Sequence, residues 1–278
     1  MLVRIADISW YTFCMISFLF IIGLLVGSFL NVILFRFGTG ETVVSGRSRC
    51  NECKGTIAWY DNIPLLSFII LRGKCRKCGT RISCQYPAVE LATALLFAFA
   101  GSRFFVPGSV DAAIETTFAL GLIGTLVVVF VYDLSHMEIP VSALGFGILW
   151  TIFSLFFLWY FALPQEAFLD SRLFEGFAGG MIAFTLFYAL VFFSKETWMG
   201  EGDAWLALLL GLVVGWKLLL PTLTLAFGSG AVVGIALIIM KRKELQSRIP
   251  FGPFLAASML FMLFFGRMVE VRYFFFGM

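Results

Sequence analysis

The sequence predicts an all-α polytopic membrane protein with about eight transmembrane helices and a small cytoplasmic four-cysteine zinc domain between helices 1 and 2. Of its 278 residues, 60% are hydrophobic and 13% are charged, whereas soluble domains carry roughly 25% charged residues. The mean hydropathy of +0.97 and the 34 Phe residues exclude a water-soluble fold, because too few polar side chains remain to cover its surface. The third observation is a pair of Cys-x-x-Cys motifs in the most basic part of the chain.

Eight apolar stretches, divided by charges and turn residues, are long enough to form transmembrane helices of about 20 residues. The predicted spans are residues 13–35, 86–106, 115–132, 140–163, 175–194, 203–219, 221–240 and 251–270. Helices satisfy their backbone hydrogen bonds internally, and these stretches are too long for the strands of a membrane barrel. The uncharged run from Ile8 to Phe35 exceeds the apolar core of a cleavable signal, so we expect the first helix to remain as an anchor.

Basic residues determine the predicted orientation and domain organisation. Residues 36–87 contain nine Lys or Arg against three acidic residues, and residues 241–248 contain four more basic residues. With eight spans both segments fall on the same side, which the positive-inside rule makes cytoplasmic. The predicted domains are the N-terminal helix 1–35, a cytoplasmic zinc-binding domain 36–87 and a seven-helix membrane domain 88–278.

Two Cys-x-x-Cys motifs are separated by 21 residues, a spacing typical of two knuckles that close four thiolates around one zinc ion. Their cysteines are Cys50, Cys53, Cys75 and Cys78. Gly55 and Gly79 follow the knuckles, where a tight turn needs a permissive backbone. Zinc with four sulfur ligands has no open coordination position, so we predict a structural metal rather than a catalytic one. Two disulfides or four unrelated thiols are the alternative.

Two aspartates are predicted to meet at the cytoplasmic edge of the membrane. Asp133 ends the apolar run that begins at Thr116, and Asp203 opens another run directly after Gly202. Carboxylates at this depth are costly unless they face protein or water, and two close together cannot both ionise easily, so the pair shares one proton. An aspartic protease uses this state: one carboxyl activates a water molecule while the other polarises the scissile carbonyl.

Acidic residues at helix ends also have non-catalytic roles, and spacing alone leaves this alternative open. They often mark the water boundary, and Asp203 is placed to cap a helix N-terminus. We interpret Glu138, Glu196 and Glu201 as solvated loop charges, and His136 as a surface residue beside the site. The alternative functions are a transporter or channel with membrane-edge acidic residues, and a non-catalytic zinc-bearing scaffold. The net charge of +3 is too small to suggest nucleic-acid binding.

Several distinct motifs follow one another along the chain. They are Gly27 to Val32, Gly46-Arg47-Ser48, Trp59 to Ser67, Leu71 to Arg76, Tyr86 to Glu90, Asp133 with Ile139-Pro140, Met199 to Asp203, and Ile249 to Ala256. In this order, and over essentially the whole chain, they resemble the bacterial prepilin peptidases, which are the type IV leader peptidase and N-methyltransferase family. Val141 stands where the family usually has Asp or Asn, and Trp205 stands where it usually has Lys. Neither departure removes an aspartate of the pair.

The resemblance implies an intramembrane aspartyl endopeptidase of the bacterial cytoplasmic (inner) membrane, with Asp133 and Asp203 as the catalytic pair on the cytoplasmic side. Its implied zinc ligands are Cys50, Cys53, Cys75 and Cys78. Such enzymes remove the short basic leader of type IV prepilins, or of pseudopilins of type II secretion, after a Gly. Full-length members also methylate the new N-terminus with S-adenosylmethionine, an activity associated with the cysteine domain. The expected partners are therefore prepilin or pseudopilin substrates and the lipid bilayer.

Overall fold

The computed structural model describes most of the chain, and the described part is helical without strands, as predicted. The described residues are 5–37, 48–161, 168–240 and 250–276. Among the predicted features, Gly46, Arg47, Ile249 and the basic segment 241–248 lie outside them.

Eight long helices and one short helix make up the described part. They are α1 (Ile5–Arg36), α2 (Leu66–Ile70), α3 (Gln85–Phe104), α4 (Val110–His136), α5 (Val141–Phe161), α6 (Arg172–Ser194), α7 (Glu201–Val214), α8 (Leu219–Ile239) and α9 (Gly252–Phe276). All except α2 correspond to a predicted span, because charges and turn residues do interrupt the apolar runs at these positions. Within the described residues, five helices (α1, α4, α5, α6 and α8) are long and apolar enough to cross a membrane.

Helix α7 ends earlier than the sequence predicts. The predicted span runs to residue 219, but α7 stops at Val214 after 14 residues. Gly215 follows with a positive φ of 73°, a backbone conformation that ends helices and that glycine adopts without strain. At 1.5 Å per residue α7 extends about 21 Å, which is shorter than the hydrocarbon layer of about 30 Å.

The chain divides into two compact units, unit 1 (Met1–Val127) and unit 2 (Val128–Met278). In unit 1, α1 packs antiparallel against α3 through glycines. A Cβ on Gly23 would lie 2.5 Å from the Cα of Ala94, and a Cβ on Gly27 would lie 2.7 Å from the Cα of Glu90. Small residues one turn apart let two helix backbones approach this closely. The domain boundaries predicted from sequence at residues 35 and 87 stay a prediction.

We expect Gly23→Ala to destabilise unit 1 by about 1–3 kcal/mol, because the added methyl group would meet the backbone of Ala94 rather than a flexible side chain. Thermal unfolding of the purified protein in detergent measures this loss. Gly124→Ala on α4 is the matched control: nothing described in the structure lies within 4 Å of a Cβ there, so higher helix propensity leaves stability unchanged or slightly raised. Equal unfolding temperatures for the two variants would contradict the close packing of α1 on α3.

In unit 2, α7 is surrounded by other helices. Its fully buried residues are Ala204, Leu206, Ala207, Leu209 and Leu210. Glycines again allow the closest approach, since a Cβ on Gly179 of α6 would lie 2.6 Å from the backbone carbon of Gly215. Helices α5, α8 and α9 also contact α7. The first turn of α7, which carries Asp203, is therefore fixed by a buried helix rather than carried on a free loop.

Candidate active site and metal centre

Four cysteine sulfurs converge in the segment of unit 1 between α1 and α3. The Sγ atoms of Cys50, Cys53, Cys75 and Cys78 all lie within 4.8 Å of one another, and those of Cys50 and Cys78 are 3.8 Å apart. Four sulfurs bound tetrahedrally at about 2.3 Å from one zinc ion are themselves about 3.8 Å apart. The donor set and its spacing therefore fit zinc. All six cysteines of the chain are free, so the alternative of two disulfides is not formed.

The two knuckles share one backbone construction. In each, the N–H of the first cysteine donates to the carbonyl five residues later (3.0 and 2.8 Å), and its carbonyl accepts the N–H four residues later (2.9 Å in both). That fourth residue has a positive φ in both knuckles, 53° at Lys54 and 71° at Gly79. The sequence predicts that Gly55 is the residue of the first knuckle that needs a permissive backbone. This prediction is wrong by one position, because Lys54 has the positive φ. Gly55 instead provides space, because a Cβ there would lie 2.9 Å from the Cδ of Lys77.

The surroundings of the four thiols differ, and their pKa values differ with them. Backbone N–H groups of its own knuckle, that of Cys53 foremost, lower the pKa of Cys50. The hydroxyl and N–H of Thr80 lower the pKa of Cys78 to about 6. The N–H of Gly55 also favours the Cys53 thiolate, but burial and the neighbouring sulfurs outweigh it and raise the pKa of Cys53 to about 11. Adjacent thiolates oppose one another's ionisation, and a bound divalent cation removes that opposition.

Asp133 lies near the C-terminus of α4, where it is 4% exposed. The backbone N–H of Gly252, the first residue of α9, hydrogen-bonds to its carboxyl group. A Cβ on Gly252 would lie 2.5 Å from Oδ2 of Asp133, so only a residue without a side chain can bring its N–H this close. Helix α4 ends at His136, and the next residue, Met137, has a φ of 56° and donates its N–H to the carbonyl of Asp133 at 2.8 Å.

Asp203 lies in the first turn of α7. The backbone N–H of Gly200, the N-cap residue, donates to Oδ2 of Asp203 at 3.3 Å. The capping role that the sequence allows for Asp203 is therefore present. Gly202 packs on the segment that follows α4, because a Cβ there would lie 3.0 Å from the Cβ of Ile139.

The structure brings the two aspartates together in unit 2. The charge of Asp133 acts on the carboxyl group of Asp203, less strongly than burial and the N–H of Gly200 do, and each carboxyl accepts a hydrogen bond from the backbone N–H of a glycine. Glu138, Glu196 and Glu201 are exposed, as predicted, but Glu201 is the first residue of α7 rather than a loop residue. A buried carboxyl beside a partly exposed one, both held by the backbone, is an arrangement that can share and transfer a proton.

Residues 21–104 match the bacterial peptidase A24 N-terminal domain, and residues 120–235 match the type IV leader peptidase family. The prepilin leader peptidase/N-methyltransferase of Bacillus subtilis is 35% identical over 91% of this chain and 95% of its own length. The chain belongs to the type IV leader peptidase family. Proteins of the same name from Myxococcus xanthus (41% identical, 80% of this chain and 63% of the relative) and Stutzerimonas stutzeri (30% identical, 91% of each) are also similar to this peptidase. No solved structure is significantly similar to it.

Family membership confirms two sequence-based predictions for the peptidase. The predicted enzyme class is confirmed, since both matched regions are peptidase domains. The predicted multi-pass inner-membrane character is confirmed by the five apolar helices together with the family match. The roles of individual side chains stay predictions.

Sequence reasoning gave no role to three residues of the peptidase that the structure makes conspicuous, Gly252, Asn31 and Glu90. Asn31 and Glu90 are polar side chains inside apolar helices, and such residues are functional candidates by default. The sequence alone could therefore have indicated Asn31 and Glu90 as candidate functional residues. Gly252 gave no such indication, because its contact with Asp133 joins residues that are distant in sequence and depends on tertiary packing.

Proposed function

We propose that this chain is an intramembrane aspartyl endopeptidase. Its substrates are type IV prepilins or pseudopilins, from which it removes the short basic leader after a Gly on the cytoplasmic side of the membrane. The observation that carries the proposal is the pairing of Asp133 and Asp203 within unit 2, each held by a backbone N–H. The printed name of the relatives, prepilin leader peptidase, supports the substrate class.

The proposed hydrolysis uses one proton shared between the two carboxyl groups. The ionised carboxylate takes a proton from water while the water oxygen attacks the scissile carbonyl carbon, and the protonated carboxyl gives its proton to the carbonyl oxygen. The tetrahedral intermediate then collapses and the C–N bond breaks. The departing amine takes the proton that came from water, and a hydroxyl group of the intermediate returns its proton to the other carboxylate as the new carbonyl forms, which restores the original state. Because Gly252 and Gly200 hold the carboxyls in place, little reorientation is needed during the reaction.

The charge distribution supports cytoplasmic cleavage. A leader rich in Lys and Arg stays on the cytoplasmic side for the same reason that residues 36–87, with nine basic residues, are predicted to lie there. The apolar helix that follows the leader in such substrates remains in lipid. The scissile bond is thereby presented at the membrane edge, the depth predicted for Asp133 and Asp203.

We also propose that the cysteine domain, residues 36–87, serves N-methylation of the new N-terminus with S-adenosylmethionine as the methyl donor. The paired name of the relatives supports this second activity. Zinc would be held by four residues: Cys50, Cys53, Cys75 and Cys78. Its closed sulfur coordination leaves no position for a substrate, so the ion would hold the loop between α1 and α3 in shape.

A two-product assay tests the proposed function. The purified full-length protein in lipid nanodiscs is incubated with a prepilin and a labelled methyl donor, and product masses are read. Loss of the leader reports the peptidase, and a gain of one methyl group reports the methyltransferase. A prepilin that is bound but never cut would favour the non-catalytic scaffold, and ion flux in proteoliposomes without cleavage would favour a transporter or channel.

Adding a methyl group at Gly252 is expected to slow cleavage. Gly252→Ala should lower kcat by about 10- to 100-fold, because the new Cβ would displace the Asp133 carboxyl. Gly228→Ala on α8 is the matched control, since a Cβ there meets nothing described within 4 Å. The assignment fails if the two variants cleave equally fast.

A further inference from the structure

Unit 1 contains a buried carboxyl group against which the described residues place no cationic side chain. Glu90 on α3 is 7% exposed. Its Oε2 atom accepts the N–H of Leu65 at 2.9 Å, and Ser28 on α1 hydrogen-bonds to the same carboxyl. Within the described residues, no Lys, Arg or His forms an ion pair with it. A carboxyl group removed from water without a counter-charge is stable when it is protonated, and it becomes ionised when a cation binds beside it, so this site can accept a positive partner.

A buried acceptor without a hydrogen-bond donor lies on α1. Asn31 is 2% exposed, and its Nδ2 atom donates to the carbonyl of Tyr86 at 3.1 Å. Its Oδ1 atom is buried without a hydrogen-bond partner, one of two such side-chain atoms in the described part of the chain. An unpaired buried acceptor costs about 1–3 kcal/mol. The missing partner here is a hydrogen-bond donor.

The two acceptors lie side by side in the interface between α1 and α3. Gly27 faces Glu90 at close range, and one turn further along α1 Asn31 reaches Tyr86, which is one turn before Glu90 on α3. Along the interface the positions of Asn31 and Glu90 are therefore about one helical turn apart, an axial rise of about 5.4 Å. Their neighbours Ser28, Leu65 and Tyr86 are partly exposed, so the acceptors lie one layer below the surface of unit 1.

This position adjoins the cysteine domain. The side chain of Tyr86 hydrogen-bonds with Asn51, which lies between the two cysteines of the first knuckle. The Tyr86 ring also stacks on Phe35, with centroids 4.6 Å apart and planes 8° apart. Tyr86 therefore links Asn31 to the first knuckle.

We propose that Glu90 and Asn31 form the binding site for the α-amino group of the leader-cleaved substrate, an inference that rests on the proposed methyl transfer. An α-ammonium group supplies both missing partners: a positive charge for Glu90 and an N–H donor for Oδ1 of Asn31. A divalent metal fits less well, since Mg²⁺ and Ca²⁺ take about six or more oxygen ligands.

The carboxylate also has a chemical task. Glu90 takes one proton from the bound ammonium group, and the electron pair of the broken N–H bond stays on nitrogen. That pair forms the new N–C bond to the methyl carbon of a sulfonium donor, while the C–S bond breaks with its electrons on sulfur. The nitrogen regains a positive charge as the secondary ammonium product, so charge balances throughout the transfer.

Binding and activity together test this site in the full-length protein in nanodiscs. The probes are a synthetic peptide with the sequence that follows the scissile Gly, carrying a free N-terminus, and the same peptide N-acetylated. Wild type is expected to bind the free-amine peptide about tenfold more tightly than the acetylated one. Glu90→Gln removes the charge but keeps an acceptor for Leu65, so this preference is lost and methylation falls by about 100-fold. Cleavage of an intact prepilin stays within about twofold of wild type.

Asp111→Asn is the matched control, because it removes an exposed carboxylate of unit 1 away from the site and should change neither preference nor methylation. Asn31→Leu is a second variant of similar volume and should also weaken the free-amine preference. If Glu90→Gln does not fold, the test is the binding of the free-amine and acetylated peptides to wild type and to Asn31→Leu. Equal binding of both peptides to wild type, or undiminished methylation by a folded Glu90→Gln protein, overturns the inference. A wild type that neither cleaves nor methylates prepilins overturns the proposed function instead.

Discussion

Leader cleavage should fall by about 1,000-fold or more in both Asp133→Asn and Asp203→Asn. Asparagine has nearly the same shape as aspartate, and its amide oxygen can still accept the N–H of Gly252 or Gly200. It cannot accept the proton of the attacking water or give one to the scissile carbonyl. Processing of a co-expressed prepilin, followed by the mass of the pilin product, measures the loss, and thermal unfolding of each variant shows whether the fold is retained.

Two neighbouring carboxylates provide the matched controls for the aspartates. Glu138→Gln and Glu201→Gln remove the same charge close in sequence to Asp133 and Asp203, and both glutamates are exposed. We expect these variants to process prepilin at rates near that of wild type. Full processing by either aspartate variant would rule out the aspartyl mechanism, as would equal losses in all four variants.

The second large effect is expected from the metal centre. Cys50→Ser and Cys78→Ser should each reduce bound zinc from one per chain to a small fraction and abolish methyl transfer, while leader cleavage continues. The loop is too small to form its own hydrophobic core. Its folding therefore depends on the binding free energy of the structural zinc, about 10–16 kcal/mol. Metal analysis measures bound zinc, and limited proteolysis at the basic residues of the loop measures whether the loop stays folded. The two-product assay measures methyl transfer and leader cleavage.

Cys84→Ser is the control for the metal centre. Cys84 is an exposed free thiol six residues beyond Cys78 and lies outside the cluster of four, so zinc content and both activities should stay at wild-type levels. Protein purified without chelator that contains no zinc would contradict the assignment of the metal. Loss of leader cleavage together with zinc would contradict a purely structural ion that serves the methylation domain.

Much of the helical layout could be predicted because membrane helices carry their own boundaries. Long apolar runs must be helical in lipid, and charges or turn residues interrupt them. The exception is α7, whose apolar pattern continues beyond Val214. Its end is set by the backbone conformation of Gly215 and by the N–H of Trp216, which donates to the carbonyl of Glu175 at 3.2 Å. Neither is visible in an apolar run.

The residue types of the candidate sites could be predicted from the sequence, but the backbone groups that position those side chains could not. Carboxylates at span edges and paired Cys-x-x-Cys motifs are local signals with a chemical meaning. The contact of Gly252 with Asp133 is tertiary, and a glycine between Phe251 and Pro253 gives no indication of its partner. The first knuckle shows the same limit, because glycine was expected at the strained turn position and Lys54 adopts that conformation instead.

The shortness of α7 has a consequence for the path of water to the catalytic pair. A helix of 14 residues is shorter than the hydrocarbon layer, so at least one of its ends lies below the headgroups, where the surrounding helices rather than lipid enclose it. Hydrolytic water then reaches Asp203 between helices, and turnover should depend little on the acyl-chain length of the membrane.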